Sequence, residues 1–168
     1  GLDIYDSVAG TFTNSAQVLT AAAGACALAL PRPTGQYRII HGGGLTTTTV
    51  LDPQGTVAAY AGTAVNASNA GTVAGLRSDG TYIFTNGGAA TTQIYNPVGD
   101  AFAAGPSLTT GTAGAGALMM KTASSTILLV VGGSSGNTQL YRETSGASNI
   151  GVWVAGPTMG VGCEINNA

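Results

Sequence analysis

The chain has 168 residues; five are Lys or Arg and seven are Asp or Glu, so charged residues make up 7% and the formal net charge is −2. An ordinary soluble domain carries roughly 25% charged residues, and this deficit excludes coiled coils and long surface helices as well as a basic nucleic-acid-binding face. The 27 glycines and 44% apolar content exclude charge-driven disorder, and the glycines are clustered, which excludes collagen with its Gly at every third position.

The predicted elements are short strands. The first pair is Ile4-Tyr5-Asp6 and a segment around Phe12. A small apolar strand follows at 25–30. Next, Tyr37-Arg38-Ile39-Ile40-His41 runs into Gly42-Gly43, and Val50-Leu51-Asp52-Pro53 precedes a strand around Tyr60. The same order returns at 73–77, at Tyr82-Ile83-Phe84-Thr85-Asn86 before Gly87-Gly88, at Ile94-Tyr95-Asn96-Pro97 and at Phe102, closed by Ala104-Gly105-Pro106. It returns again at 115–120, at Ile127-Leu128-Leu129-Val130-Val131 before Gly132-Gly133, at Leu140-Tyr141-Arg142 and at Trp153, closed by Ala155-Gly156-Pro157; a last strand lies at 161–165. The glycine doublets are 45 residues apart both times, and the steps from Tyr5 to Leu51 to Tyr95 to Tyr141 are 46, 44 and 46.

β-branched residues, period-two alternation and closely spaced Gly, Pro, Asn and Asp turns argue for antiparallel sheet. Asp79-Gly80 is a hairpin signal. Four short strands per repeat match a propeller blade. One such sheet cannot bury both faces alone, so stacking sheet on sheet supplies the core. The glycine doublets Gly42, Gly43, Gly87, Gly88, Gly132 and Gly133 read as turn glycines that permit positive φ and close backbone approach. A phosphate-cradling loop would need a helix after the glycines, and a strand follows instead.

An apolar strand ending in a double glycine, then a Tyr strand, a turn and a Trp or Phe strand at this period resembles the kelch family, the propeller type of the galactose-oxidase-like superfamily. The resemblance covers nearly the whole chain. The last unit departs from it by an insertion between Tyr141 and Trp153, and Leu51 replaces the expected tyrosine. The resemblance implies an all-β single domain over 1–168: a small kelch-like β-propeller of about four blades of four antiparallel strands. One blade is composite or incomplete, shared by the N-terminal strands and the strand at 161–165. The alternative is one segment of a longer array, or a protomer whose gap a neighbour's strand fills. In a closed ring Cys26 and Cys163 occupy matching strands of neighbouring blades. A disulfide between them would contribute roughly 4–5 kcal/mol through the long loop that it closes. Two buried thiols, or a bond between chains, are the other readings of this pair.

Little in the sequence carries chemistry. His41 is the single histidine and precedes a glycine doublet, at the position of Asn86 and Val131 in the sister repeats, where a structural turn role is expected. One histidine and two distant cysteines do not make a common zinc site, and the copper site of the oxidase-like enzymes needs a further histidine. Of the carboxylates, Asp6, Asp52 and Asp100 read as turn residues, Asp3 completes the aspartates with Asp79, and Glu143 and Glu164 show no partner. No catalytic, metal or cofactor residue is assigned, and no enzyme is expected. The recurrent aromatics Tyr5, Phe12, Tyr60, Tyr95, Phe102, Tyr141 and Trp153 read as packing between sheets, with sugar stacking as the alternative.

No apolar stretch reaches the roughly 18 residues of a membrane-spanning helix. No signal peptide is visible, and Gly1 leads directly into strand-like sequence, as in a processed or a trimmed chain. The sequon Asn66-Ala67-Ser68, the Thr46, Thr47, Thr48 and Thr49 run as an O-glycan site, and the Gly/Ala/Thr-rich, weakly charged composition favour an extracellular or cell-surface protein. The function expected is structural or adhesive, by self-association into an appendage or filament. The alternatives are a carbohydrate- or protein-binding propeller, with glycans as partners, and a catalytically empty fragment of an oxidase-like propeller.

Overall fold

A computed structural model of the chain describes residues 2–15, 26–32, 37–42, 47–51, 58–63, 74–85, 89–111, 114–121, 126–131, 136–144 and 150–159. Among the described residues there are fourteen strands and no helix. A hairpin of β1 (Leu2–Asp6) and β2 (Thr11–Ser15) comes first. Three four-stranded antiparallel sheets follow, each a simple up-and-down meander. Sheet one holds β3 (Cys26–Pro31), β4 (Tyr37–Gly42), β5 (Thr47–Leu51) and β6 (Ala58–Thr63). Sheet two holds β7 (Ala74–Leu76), β8 (Tyr82–Thr85), β9 (Thr92–Asn96) and β10 (Ala101–Ala104). Sheet three holds β11 (Gly116–Lys121), β12 (Thr126–Val131), β13 (Thr138–Arg142) and β14 (Val152–Ala155). The expected strand at 161–165 lies outside the described residues.

The aromatic pairs explain the third and fourth strands of the units. Tyr5 stands directly opposite Phe12, Tyr95 opposite Phe102, and Tyr141 opposite Trp153. Their ring centroids are 4.9, 4.8 and 5.3 Å apart, the range in which cross-strand aromatic pairs stabilise a sheet. In sheet one Leu51 stands opposite Ile39, and the β5–β6 ladder shifts register between Thr48 and Val50. The unit that lacks the tyrosine is therefore also the one with an irregular last ladder.

The turns repeat as well. Asp6 Oδ1 accepts the N–H groups of Val8 and Ala9 at 2.8 and 3.1 Å, and Asn96 Oδ1 accepts that of Val98 at 2.9 Å. These are side-chain-stabilised turns. Each ends in a left-handed residue, Gly10 (φ 67°) in one and Asp100 (φ 50°) in the other. Asp100 also accepts the Tyr95 hydroxyl at 2.5 Å. Gly80 (φ 81°) supplies the left-handed position of the β7–β8 hairpin, closed by Arg77 N–H to the Thr81 carbonyl at 2.8 Å.

The Ala-Gly-Pro closures have a specific cause. Gly105 donates its N–H to the Thr92 carbonyl at 2.9 Å, and Gly156 donates to that of Thr138 at 2.8 Å. The hydroxyls of Thr92 and Thr138 return a bond to the carbonyls of Pro106 and Pro157. A Cβ at either glycine would collide with the threonine hydroxyl. Three residues after each glycine, Leu108 and Met159 donate to the carbonyls of Ala90 and Gly136, so both chain exits follow one path.

The sheets stack in sequence order with like strand against like: β6 lies against β10, and β7 against β11. Leu30 of sheet one packs with Tyr82, Phe84 and Tyr95 of sheet two. Ile83, on the opposite face of sheet two, packs with Leu108, Ala115, Tyr141 and Trp153. The aromatic faces of sheets two and three thus each meet the preceding sheet. Burial of such side chains stabilises by roughly 1.5–3 kcal/mol each, which lets a weakly charged chain hold a core without helices.

Candidate functional site

The chemistry of the described residues gathers at the joints between sheets. Arg77 leaves the end of β7 and enters sheet three. Its side chain is 3% exposed, so its charge must be met inside the protein. Nε donates to the Tyr141 hydroxyl at 2.9 Å and lies 3.9 Å from Glu143 Oε1. Nη1 donates to Asp79 Oδ2 at 2.8 Å and to Thr81 Oγ1 at 2.6 Å. Glu143 in turn accepts the Ser78 N–H at 2.7 Å, and Tyr141 donates to the Ile150 carbonyl at 2.9 Å. Burial pushes the Tyr141 phenol above its ordinary value, against the opposing effect of Arg77. The guanidinium is committed to protein partners on both sides of the joint, so it clamps the sheets together.

The joint before it has a parallel device. Arg32, just after β3, donates from Nε to the Pro97 carbonyl at 2.8 Å and from Nη2 to that of Val98 at 3.3 Å. Tyr82 donates its hydroxyl to the Pro31 carbonyl at 2.8 Å. On the far side of the second joint, buried Gln139 accepts the Thr109 N–H and hydroxyl at 2.8 Å each and donates to the Thr110 carbonyl at 2.8 Å. The segment crossing from sheet two is thereby pinned to sheet three.

Asp79 gives this clamp an acid limit. Burial raises its carboxyl, but the Thr81 hydroxyl, the Thr81 N–H and the Arg77 charge outweigh that and hold it below 3.8. A carboxyl lowered on folding binds more protons in the unfolded chain, so its contribution is present above the unfolded value and lost as pH falls through the folded one. The thermal midpoint is therefore expected to drop as pH falls below about 5 and through the lowered value of the folded carboxyl. In Asp79→Asn that part of the drop is expected to be smaller, as read by circular dichroism melts across the pH series.

The residues singled out by sequence are placed as follows. Cys26 begins β3, and Cys163 lies outside the described residues, as do Asn66, Thr46, Asp52, Glu164, Gly43, Gly87, Gly88, Gly132 and Gly133. Gly42 closes β4. Thr47, Thr48 and Thr49 lie within β5, a central strand paired on both sides. His41 occupies a ladder position of β4 opposite Ala27 and Thr49, a strand site where a turn role was expected. Glu143, expected to be alone, is joined to sheet two through Ser78 and Arg77. Among the described residues no three of His, Cys, Asp and Glu come together, and no helix is long and apolar enough to cross a membrane.

Sequence reasoning missed Arg32, Arg77, Gln139 and Glu143, the polar groups of the joints. A usable signal was present for two of them: Arg32 and Arg77 each directly follow the first strand of a sheet.

Two apolar surfaces stand uncovered among the described residues. The hairpin shows its aromatic pair to solvent, with Tyr5 56% and Phe12 73% exposed, whereas Tyr95 and Tyr141 are 0% and 1% exposed. On sheet three the face turned away from sheet two shows Leu118, Met120 and Val152. Compared with known proteins, the chain matches no family model and no curated protein sequence.

Proposed function

We propose that this chain is a kelch-like propeller unit acting as an extracellular structural or adhesive protein, through association with its own copies. The observation that carries the reading is the pair of unlike apolar surfaces left exposed, Tyr5 and Phe12 on the hairpin and Leu118, Met120 and Val152 on sheet three. Monomeric soluble proteins rarely leave such faces open. The scarcity of charge supports it too, because near-neutral surfaces oppose self-association little. The test is size-exclusion chromatography over a concentration series, followed by electron microscopy of the largest species. Assemblies that grow with concentration are expected; a strict monomer at high concentration overturns the reading.

A second reading draws on Tyr5 and Phe12, whose tilted, exposed rings offer a stacking platform to a sugar. Binding on a glycan array that is lost in Phe12→Ala would favour it over self-association.

A further inference from the structure

We propose that the outer face of the β11–β14 sheet receives the β1–β2 hairpin of a second copy of this chain, so that copies join head to tail. The inference rests on the self-associating reading and adds to it the two surfaces that meet.

Its ground is an interface that the chain already makes internally. On sheet two, Gly75, Ile83, Ile94 and Ala103 are successive cross-strand partners. Ile83 in that row is buried against Tyr141 and Trp153 of sheet three. The corresponding row of sheet three is Leu118, Leu129, Leu140 and Val154. Beside it runs Met120, Ile127, Arg142 and Val152 on the same face. Among the described residues no sheet follows here: Leu118 is 59% exposed, Val152 44% and Met120 42%. The row is thus of the kind that takes an aromatic cross-strand pair.

The hairpin supplies that pair. Tyr5 and Phe12 have the same register as Tyr141 and Trp153, yet they are exposed. Both surfaces are uncovered among the described residues, and we take a second copy as the occupant. Because they are unlike, the contact is heterologous, and repetition gives an open series of copies.

The test is light scattering coupled to size-exclusion chromatography on the full chain and on Phe12→Asp and Leu118→Asp. The wild type is expected to grow in mass with concentration. Each variant alone is expected to remain a monomer, since it retains only one competent face. Their equimolar mixture is expected to give a species of twice the monomer mass and nothing larger, because one variant supplies the outer face and the other the hairpin. Both positions are exposed, so folding is checked by circular dichroism, and Val152→Asp replaces Leu118→Asp if that variant is altered. Variants that associate like the wild type, or a mixture that yields no dimer, overturn this inference while leaving self-association standing. A wild type that is monomeric at every concentration overturns both, and includes the case of a chain closing on itself.

Discussion

Replacing Arg77 by Leu is expected to destabilise the protein by about 3–5 kcal/mol, the usual cost of removing one partner from a buried ion pair. The guanidinium has protein partners from the β7–β8 hairpin and from sheet three at once. Its loss leaves the Tyr141 hydroxyl without its donor and Glu143, still tied to the Ser78 N–H, without its countercharge. Arg77→Lys is expected to recover only part of this, since an ammonium lacks the planar fork that spans several acceptors. The location of the damage separates a joint from a merely local contact. In a stack whose stability is a sum of sheets and joints, weakening the second joint frees sheet three first. Hydrogen exchange is therefore expected to accelerate in β13 and β14 before β4, whose sheet lies beyond the other joint. Urea titration measures the size of the loss, and exchange mass spectrometry its position. A loss below about 1 kcal/mol, the scale of an exposed pair, would show that the clamp is not a structural requirement.

The strands, their order and the aromatic pairs could be read from the residues, because each depends on neighbours close in sequence. Tyr95 and Phe102 are seven residues apart with a turn-forming Asn96-Pro97 between them, and such spacing admits one pairing. The Ala-Gly-Pro closures were visible as a pattern, though their cause, a threonine hydroxyl folded over the glycine, was not. Register was harder. Tyr82 faces Tyr95, and Leu128 faces Tyr141, a step of 46 residues, while the neighbouring glycine doublets step by 45. Taking the doublets as the phase puts Ile127 opposite Tyr141 and turns every side chain of β12 to the other face. Sheets one and two differ in phase as well, since Ile39 is the partner of Leu51. The joints were the least accessible part. Arg77 and Tyr141 are 64 residues apart, and Thr109 and Gln139 are 30 apart; each looks solitary until the sheets are stacked. The exposed face of sheet three has the same origin. Strands apolar on both faces do not say which sheet is last, so Leu118 reads like any other core residue.

Gly151 lies in the insertion that separates the last unit from its sisters, and Gly151→Ala is expected to be among the most damaging single substitutions. The insertion has a structural purpose. In sheet two the tyrosine hydroxyl is held by Asp100 of the turn that follows it; in sheet three the longer segment comes back so that the Ile150 carbonyl accepts Tyr141. The chain then passes Gly151 at φ 74°, where a Cβ would run into the Tyr141 hydroxyl and ring. Two costs combine. The left-handed conformation costs a non-glycine residue roughly 1–2 kcal/mol, and an extra carbon in a packed site about 1–3 kcal/mol. Moving Tyr141 aside would also pull it from Arg77, so the joint is weakened by the same change. Gly80 separates the two costs, because it has φ 81° but open space around it. Gly80→Ala is expected to show the conformational cost alone, and the excess seen at Gly151 is the packing term. That excess should shrink when Tyr141 is shortened to Leu, as coupling between touching residues requires. Equal losses at Gly80 and Gly151, or an excess unchanged in the Tyr141→Leu background, would show that the insertion does not hold the tyrosine. The measurement is a double-mutant cycle by urea denaturation, with the Tyr141→Leu chain as the reference for the second pair.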